Sequence, residues 1–279
     1  MISVIIPVFN AESFLEESVN SVLVHSCVKE LILVEDGSSD SSLAICQWFQ
    51  SIDPRIRILT HEGGRNRGAA ESRNLGIRKV RFPYVAFLDS DDRYFDNRFS
   101  IAIDMMENNL SLDGCYGKVV ICHENENRNK LMGPPVNLVS DRLFTFLLNG
   151  GYFHTNSITV RTSFLKKIGF FDPRCWPHED VELWMRMAFE GRLVSVPIET
   201  PLAIYRIHGE NLSKVANWKS KWILWSTVFC KYFFKEITWC NRFYIIKQLI
   251  KVGKWDFNTF YKKCRSRIFK SKIFPNAID

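Results

Sequence analysis

The sequence predicts an α/β protein whose mostly parallel sheet is flanked by helices and followed by a C-terminal helical segment. Within the first hundred residues, short apolar runs of strand length alternate with stretches of helical periodicity, and the runs are apolar throughout. Continuously apolar strands are typical of a parallel sheet that helices cover on both faces. Beyond residue 214 the periodicity is helical only.

The first half of the chain supplies four predicted strands with helices between them. The strands are Ile2–Val8, Glu30–Glu35, Ile56–Thr60 and Tyr84–Leu88. The helices are Ser13–Val24, a helix capped by Ser39 or Asp40 that runs to Gln50, residues 69–80, and one beginning near Asp96 or Asn97.

The second half of the chain is predicted from weaker patterns. Strands are expected at Cys115–His123, at 157–160 and in two short runs up to Ile207. The polar stretch Glu124–Asn137 is expected to be a surface loop, and helices are expected at 140–149, 163–168 and Glu179–Glu190. We therefore expect one domain over residues 1–213, with halves at 1–110 and 111–213, and a helical tail over 214–279.

The tail differs from the rest of the chain in charge and in aromatic content. Residues 214–273 hold 15 Lys and Arg residues against two acidic ones, a local net charge of +13, whereas residues 1–213 carry about −5. Large apolar residues form two stripes of helical spacing: Trp218, Trp222, Trp225, Phe229 and Tyr232, then Trp239, Phe243, Ile246 and Ile250. Such stripes indicate packing within the chain or against a second copy, or a basic helix that lies in an anionic membrane interface.

Several classes of protein are disfavoured by the composition. No stretch approaches the roughly 18 apolar residues of a membrane-spanning helix, and the N-terminus lacks the basic region of a signal peptide. The eight cysteines show no CxxC pair, which predicts reduced thiols in the cytosol rather than a disulfide framework or a zinc site.

Polar clusters follow the predicted strands, at the edge where a parallel sheet binds ligands. Asp89-Ser90-Asp91-Asp92 is either a site for Mg²⁺ or Mn²⁺ or a solvated acidic turn that caps the next helix. Glu35–Asp40 offers a carboxylate for a uracil imide, or simple helix capping. Gly63–Gly76 brings three arginines to a loop-to-helix junction that suits phosphate oxygens.

Two further clusters occur late in the domain. His178-Glu179-Asp180 opens a predicted helix, where it either compensates the helix dipole or supplies a general base. His208 follows the last predicted strand, as a metal or phosphate contact or as a structural side chain.

Taken in order, six motifs resemble the motif series of inverting family 2 glycosyltransferases, which have a GT-A fold. The motifs are PVFNAE, VEDGSSD, RGAAESRN, FLDSDD, HEDVELWMR and YRIHGENLS, and the resemblance covers roughly residues 1–213. It implies a Rossmann-like sheet in which residues 1–110 bind a nucleotide-sugar donor and residues 111–213 bind the acceptor.

The resemblance implies a donor site. Pro7, Asn10 and Glu12 match the loop on the nucleoside side. Asp36 matches the carboxylate that reads the uracil edge, and Arg73 the loop arginine near the nucleotide.

The resemblance also implies a metal site and a catalytic pair. Asp89, which also belongs to the nucleotide-binding set, and Asp91 match the DxD pair that binds Mn²⁺ or Mg²⁺ through the diphosphate. His208 matches the late histidine near the metal. Asp180 matches the catalytic base, with Glu179 as its partner in the Glu-Asp motif.

The implied reaction moves a sugar, with inversion, from a nucleoside-diphosphate donor, UDP being the best match, to a hydroxyl of a saccharide or lipid-linked saccharide. We expect a hexosyl- or N-acetylhexosaminyltransferase of bacterial surface polysaccharide or lipopolysaccharide synthesis. Its expected location is the cytoplasm, with attachment to an anionic membrane surface on the inner face. A homodimer through the C-terminal helices is the alternative use of the tail, and nucleic acid is not an expected partner.

Other functions fit the sequence less well. A sugar-nucleotide pyrophosphorylase needs a Gly-rich, Arg-containing loop after the first strand, and a dinucleotide oxidoreductase needs GxGxxG there, but Pro7–Glu12 has neither pattern. A processive synthase would have membrane helices and a QxxRW motif. A non-catalytic nucleotide-sugar-binding or membrane-docking module remains the non-enzymatic alternative, although the acidic positions are intact.

Overall fold

The computed structural model describes residues 1–123, 129–136, 138, 140–208, 218–235 and 237–252. The chain divides into two compact units, Met1–Leu212 and Ser213–Asp279. Among the described residues, eleven strands and seven α-helices belong to the first unit and two α-helices to the second.

The strands of the first unit are β1 (Ile2–Val8), β2 (Val28–Glu35), β3 (Ile56–Thr60), β4 (Tyr84–Phe87), β5 (Arg93–Tyr94), β6 (Gly114–Tyr116), β7 (Val119–His123), β8 (Asn129–Met132), β9 (Thr159–Arg161), β10 (Leu193–Ser195) and β11 (Ala203–Ile207). Its helices are α1 (Leu15–Leu23), α2 (Ser42–Ile52), α3 (Ala69–Lys79), α4 (Ser100–Asn108), α5 (Ser140–Leu148), α6 (Thr162–Ile168) and α7 (Glu179–Glu190).

Seven strands form the large sheet, in the order β10-β6-β9-β4-β1-β2-β3. All neighbouring pairs are parallel except those of β9, which runs antiparallel to β4 and β6. Because β2 and β3 lie on one side of β1 and β4 on the other, the chain reverses its direction of winding at β1. Ligands bind beyond the carboxyl ends of strands at such a switch point. The predicted class, a mostly parallel sheet flanked by helices, is confirmed.

A smaller sheet, in the order β5-β11-β7-β8, lies beside this edge. The strand β11 pairs antiparallel with β5 and parallel with β7. Since β5 begins one residue after Asp92, and β11 ends at Ile207, this pairing brings the start of β5 and the end of β11 into one sheet.

The core lies between the large sheet and its helices. Every residue of β1 and β4 is buried, as are six consecutive residues at the end of β2. Fully burying an Ile, Leu or Val side chain contributes about 1.5–3 kcal/mol. The strands therefore supply much of the stability that holds their carboxyl ends in register.

One arginine is buried without a carboxylate among its hydrogen-bond partners. Arg98 donates to the carbonyls of Asn156 (2.8 Å) and Ile158 (2.6 Å) and to Thr159 Oγ1 (3.0 Å). Its guanidinium also lies over the rings of Tyr94 and Phe99, 4.8 and 4.6 Å from their centroids. Arg98 thereby fixes the backbone that leads into β9.

Three sequence-based boundaries are wrong. The strand expected at Cys115–His123 is two strands in different sheets, β6 and β7, because the chain changes sheets at Gly117, where a Cβ would lie 2.6 Å from Leu202 Cδ1. Part of the loop expected at Glu124–Asn137 is the strand β8, whose largely exposed side chains give no apolar pattern, and residues 124–128 and 137 lie outside the described residues. The helix expected from Asp96 begins at Ser100.

The second unit contains α8 (Trp218–Tyr232) and α9 (Trp239–Val252), which pack against each other. Neither helix contains an acidic residue. Cys230 is disulfide-bonded, so the expectation that all eight cysteines are reduced is wrong at this position. The spacing of cysteines along a chain does not reveal which of them approach each other in space. No helix within the described ranges is long and apolar enough to cross a membrane.

Candidate active site

The candidate site lies at the carboxyl edge of the large sheet. Asp36 directly follows β2, and Asn10 and Asp89 lie two residues after the ends of β1 and β4. Because β9 is antiparallel to β4, the residues that precede β9 reach this same edge. The segment Tyr152–Asn156 therefore joins the site from the second half of the chain.

Three carboxylates converge after β4. Asp89 forms an ion pair with Arg73, with Nη2 2.5 Å from Oδ1. Asp92 is buried and accepts hydrogen bonds from Asn156 Nδ2 (2.5 Å) and from the Arg206 amide (2.7 Å). Asp91 lies 2.9 Å from Nε2 of His208, so the structure brings together the acidic motif and the late histidine.

The ionisation of these groups reflects how each is paired. Burial, followed by the charge of Asp89, raises the pKa of Asp91. Burial, with the charges of Asp91 and Asp89, raises the pKa of Asp92 well above its usual range. Burial opposes ionisation of Asp89 as well, but the neighbouring Arg73 outweighs it and lowers the pKa of Asp89. Excess negative charge therefore remains around Asp91.

These carboxylates fit a hard divalent cation, because Mg²⁺ and Mn²⁺ take oxygen ligands and offset clustered negative charge. Ligand atoms of Asp89, Asp92 and His154 lie within 4.8 Å of one another. Both Asp92 oxygens already accept hydrogen bonds from the protein, and Nδ1 of His154 accepts the Asn156 amide at 3.2 Å. Asp91, with His208 beside it, lies in the same acidic motif and adds a further carboxylate to this set.

Arg73 connects this cluster to the start of α7. Its Nη1 lies 3.7 Å from Oε1 of Glu179, and its side chain and that of Glu179 are both buried. Burial, followed by the charge of Asp180, raises the pKa of Glu179. Within the described part of the chain, Arg73 Nε and Glu179 Oε2 are buried without a hydrogen-bond partner. Arg73 thus lies between the two acidic motifs of the site.

Asp180 is the more exposed member of the Glu-Asp pair. Its Oδ1 accepts the amide of Val181 at 2.7 Å, and its Oδ2 accepts the phenol of Tyr152 at 2.5 Å. A partly exposed carboxylate that is oriented from both sides can accept a proton from a bound hydroxyl.

The residues of the nucleoside-side loop have structural contacts of their own. Pro7 is buried within β1. Asn10, which has a positive φ of 48°, accepts the Ser39 amide at 2.8 Å, and Glu12 accepts the Ser41 amide at 2.9 Å. Both side chains therefore hold the start of α2 against the end of β1, where part of each remains exposed.

Asp36 anchors the loop of residues 61–68. Its two carboxylate oxygens accept the amides of Arg67 (2.7 Å) and Gly68 (2.8 Å). Gly37 has a φ of 77°, and a Cβ there would lie 2.7 Å from the carbonyl oxygen of Gly64. Each oxygen of Asp36 can still accept a further hydrogen bond. The uracil-reading role of Asp36 stays a prediction.

Three polar residues of the site were missed by the sequence analysis. They are Tyr152, His154 and Asn156, all in the segment before β9. His154 is buried, its ring centroid lies 4.4 Å from that of Tyr205, and burial lowers its pKa despite the nearby charge of Asp89. These residues could be placed in the site only once the direction of β9 was known. Had β9 run parallel to β4, the residues that precede it would lie at the other edge of the sheet, away from Asp89.

The family and its relatives agree with this architecture. The sequence profile described as Glycosyl transferase family 2 matches residues 3–169, more than half of the 279-residue chain. The chain belongs to glycosyltransferase family 2, which confirms the class of enzyme that the motifs predicted.

Two relatives align over most of the chain. TuaG of Bacillus subtilis, a glycosyltransferase ascribed to teichuronic acid biosynthesis, is 27% identical over 244 residues, which are 86% of this chain and 92% of TuaG. WfgD of Escherichia coli, a UDP-Glc:alpha-D-GlcNAc-diphosphoundecaprenol beta-1,3-glucosyltransferase, is 29% identical over 229 residues, which are 80% of this chain and 84% of WfgD.

Solved structures share the fold. TarS 1–349 of S. aureus in complex with UDP has a TM-score of 0.65 at 18% identity, covering 90% of this chain and 70% of that one. The complex of the same protein with UDP-GlcNAc has a TM-score of 0.66 and covers 90% of this chain and 71% of that one. The predicted GT-A fold is confirmed.

The raised pKa of Asp91 yields a stability prediction. The folded chain holds this proton more tightly than the unfolded chain, so ionisation of Asp91 lowers stability as the pH rises above about 4. Asp91→Asn removes the charge and keeps an oxygen for the His208 contact. In buffer with a chelator, we expect the variant to exceed wild type by on the order of 1 kcal/mol at about pH 8, and by less at about pH 4.5. Urea unfolding measures both gaps.

Asp104→Asn is the matched control, because Asp104 is exposed on α4. It should leave the stability unchanged at both pH values. A less stable Asp91→Asn variant, or a gap that does not depend on pH, would show that Asp91 is not under electrostatic strain.

Proposed function

We propose that this enzyme transfers a sugar, with inversion, from a UDP-sugar to a saccharide hydroxyl, with Asp180 as general base. One observation carries the proposal: a partly exposed, doubly hydrogen-bonded carboxylate, Asp180, lies at the head of α7 beside Glu179. Buried Arg73 links Glu179 to the acidic cluster after β4. A donor diphosphate at the cluster would place its sugar toward Asp180.

The reaction is a single displacement. The acceptor oxygen forms a bond to the anomeric carbon while the bond from that carbon to the diphosphate oxygen breaks, and the leaving nucleoside diphosphate takes the electron pair. Asp180 accepts the proton of the acceptor hydroxyl as the transition state develops oxocarbenium character. Buried Glu179, beside Arg73, is less accessible and keeps the guanidinium oriented.

The proposed metal is Mn²⁺ or Mg²⁺, held by Asp91 with Asp89 and His208. When bound, a divalent ion offsets the charge on the leaving diphosphate. The nearby negative charge of Asp89, which raises the pKa of Asp91 together with burial, supports this assignment. The proposed nucleoside contacts are Pro7, Asn10, Glu12 and Asp36, at the ends of β1 and β2.

The relatives support a particular setting. WfgD is described as acting on a diphosphoundecaprenol-linked sugar, and TuaG is ascribed to teichuronic acid biosynthesis. We infer that this enzyme also works in bacterial surface polysaccharide synthesis, on a saccharide or lipid-linked saccharide acceptor. A lipid-linked acceptor would favour an enzyme held at the inner face of the cytoplasmic membrane.

Within the described part of the chain, helix α9 has an exposed apolar stripe that suits such attachment. Trp239, Phe243 and Ile250 are 81%, 63% and 63% exposed, and their spacing places them on one stripe. The opposite face of α9 is buried at Asn241, Ile245 and Leu249. Of the two predicted stripes, the one on α8 is instead buried at Trp225, Phe229 and Tyr232, as packing requires.

The charge of α9 supports an anionic lipid surface as the occupant of this face. Lys247 and Lys251 are exposed on one flank of the stripe, and Arg242 lies over the Trp239 ring at 5.0 Å on the other. A helix with exposed aromatics between cations is typical of an interfacial membrane helix. Each basic residue near an anionic surface contributes about 1 kcal/mol. A second copy of this basic chain would bring like charges together.

Exchanging the proposed base tests the chemical step. Asp180→Asn keeps the shape of the side chain but removes its proton affinity, so turnover should fall by about a hundredfold or more while UDP-sugar binding persists. Glu179→Gln is the matched variant and should retain more activity. Release of UDP and binding calorimetry measure the two effects. An inactive Glu179→Gln beside an active Asp180→Asn would place the base on Glu179.

The metal site is tested by nucleotide binding. In wild type, UDP with Mn²⁺ at about 100 times the dissociation constant should add roughly 2.7 kcal/mol of stability. Asp91→Asn should lose the Mn²⁺-dependent part of this gain, whereas Asp104→Asn should keep it. Thermal shift with and without Mn²⁺ is the measurement. An undiminished Mn²⁺ effect in Asp91→Asn would remove Asp91 from the proposed ligands.

Membrane attachment is tested by cosedimentation of the full chain with liposomes of anionic or neutral lipid. We expect binding to anionic vesicles that weakens with salt, falls strongly in Trp239→Ser/Phe243→Ser and falls in Lys247→Glu/Lys251→Glu. Trp48→Ser, which removes an exposed tryptophan from α2, is the control and should bind as wild type does. Binding that ignores lipid charge, or a dimer that the Trp239→Ser/Phe243→Ser variant dissociates, would contradict the proposal.

A further inference from the structure

We propose that Tyr152 is a positioning residue for Asp180, and that its phenol holds this carboxylate in the orientation that a general base needs. The inference rests on the proposed function, in which Asp180 takes the proton of the acceptor.

The two hydrogen bonds to Asp180 divide between its oxygens. The phenol of Tyr152 donates to Oδ2 at 2.5 Å, and the amide of Val181 donates to Oδ1 at 2.7 Å. One donor at each oxygen fixes the plane of the carboxylate. An ionised carboxylate offers about four acceptor positions, so each oxygen can still accept a proton from substrate.

The backbone around Tyr152 is fixed relative to the helix that carries Asp180. Its neighbour Phe153 is fully buried, stacks on Tyr116 at 4.6 Å and lies 4.9 Å from the ring of Trp184 on α7. The residue before Tyr152 is packed closely, because a Cβ at Gly151 would lie 2.4 Å from the Phe146 ring. Packing of the residues on either side of Tyr152 thus fixes the position of its phenol relative to α7.

Arg73 is a cation that attracts Asp180, but no hydrogen bond or ion pair joins the two side chains within the described residues. Arg73 pairs with Asp89 and contacts Glu179. Glu179 and Asp89 are themselves acidic, and burial lowers the pKa of nearby His154, which favours its neutral form. Burial, followed by the charge of Asp180, raises the pKa of Tyr152 well above its usual range, so the phenol stays protonated and donates. Tyr152 therefore supplies a dedicated stabilising contact to the Asp180 anion.

Tyr152→Phe removes this donor and keeps the ring. We expect kcat to fall by about tenfold to a hundredfold, since hydrogen bonds to charged groups are among the stronger ones. The Michaelis constant for the UDP-sugar should stay within about twofold, because the lost contact does not involve donor binding. The acid limb of the pH–rate profile should also change, because Asp180 loses a hydrogen-bond donor. The assay is UDP release across pH, with the UDP-sugar and saccharide pair that wild type turns over fastest.

Tyr84→Phe is the matched control. Tyr84 is also buried, its hydroxyl accepts from the charged Arg161 at 3.4 Å, and it begins β4 at the end away from the site. It should lose stability without moving the acid limb. A Tyr152→Phe enzyme whose profile keeps its shape, or whose loss of activity matches that of Tyr84→Phe, would overturn the positioning role.

The result for Asp180→Asn separates this inference from the proposed function. An active Asp180→Asn enzyme overturns both, because there is then no base at this position to orient. An inactive Asp180→Asn enzyme beside an unshifted Tyr152→Phe profile overturns the role of Tyr152 alone.

Discussion

The repulsion among acidic side chains at one edge of the sheet is the constraint on which the rest of the site depends. Five carboxylates gather there: Asp89, Asp91, Asp92, Glu179 and Asp180. Like charges at this density are tolerated only if each has a partner or keeps its proton. The buried guanidinium of Arg73 partners two of them, Asp89 and Glu179, and so connects the two halves of the first unit. A shared arginine fork suits this task because it presents several donors in fixed directions.

The remaining carboxylates are handled differently, and the differences correspond to roles. Asp92 is enclosed by amide donors and serves the architecture. Asp180 is oriented by neutral donors and stays partly exposed, which suits the base role that we propose for it. Asp91 faces a histidine and an excess of negative charge, which is the environment that favours a cation. The hydrogen-bond partners thus distinguish, within two acidic motifs, an enclosed carboxylate, a proposed base and a proposed metal ligand.

The sequence predicted the first half of the fold well because its strands are apolar throughout and its turns are marked by Gly37 and the acidic motif after β4. The second half was predicted less well for physical reasons. The exposed edge strand β8 has no apolar pattern, and the change of sheet at Gly117 leaves an uninterrupted apolar run. The sequence predicted the acidic residues Asp36, Asp89 and Asp91 because they follow apolar runs that are recognisable as strands. Tyr152, His154 and Asn156 were not predicted, because they precede a strand whose direction only pairing with β4 reveals.

The burial of Arg98 affects the local stability of the segment that it holds. Its charge cannot be removed by deprotonation, and its partners are two carbonyls and a hydroxyl at residues 156–159 together with two aromatic rings. If residues 156–159 moved away from the sheet, the guanidinium of Arg98 would stay buried without these hydrogen-bond acceptors. Only its contacts with the two aromatic rings would remain. Segments of this kind open at the cost of much of the global unfolding free energy rather than by fraying. The segment before β9, irregular in its backbone, should then share the local stability of the strands that it adjoins.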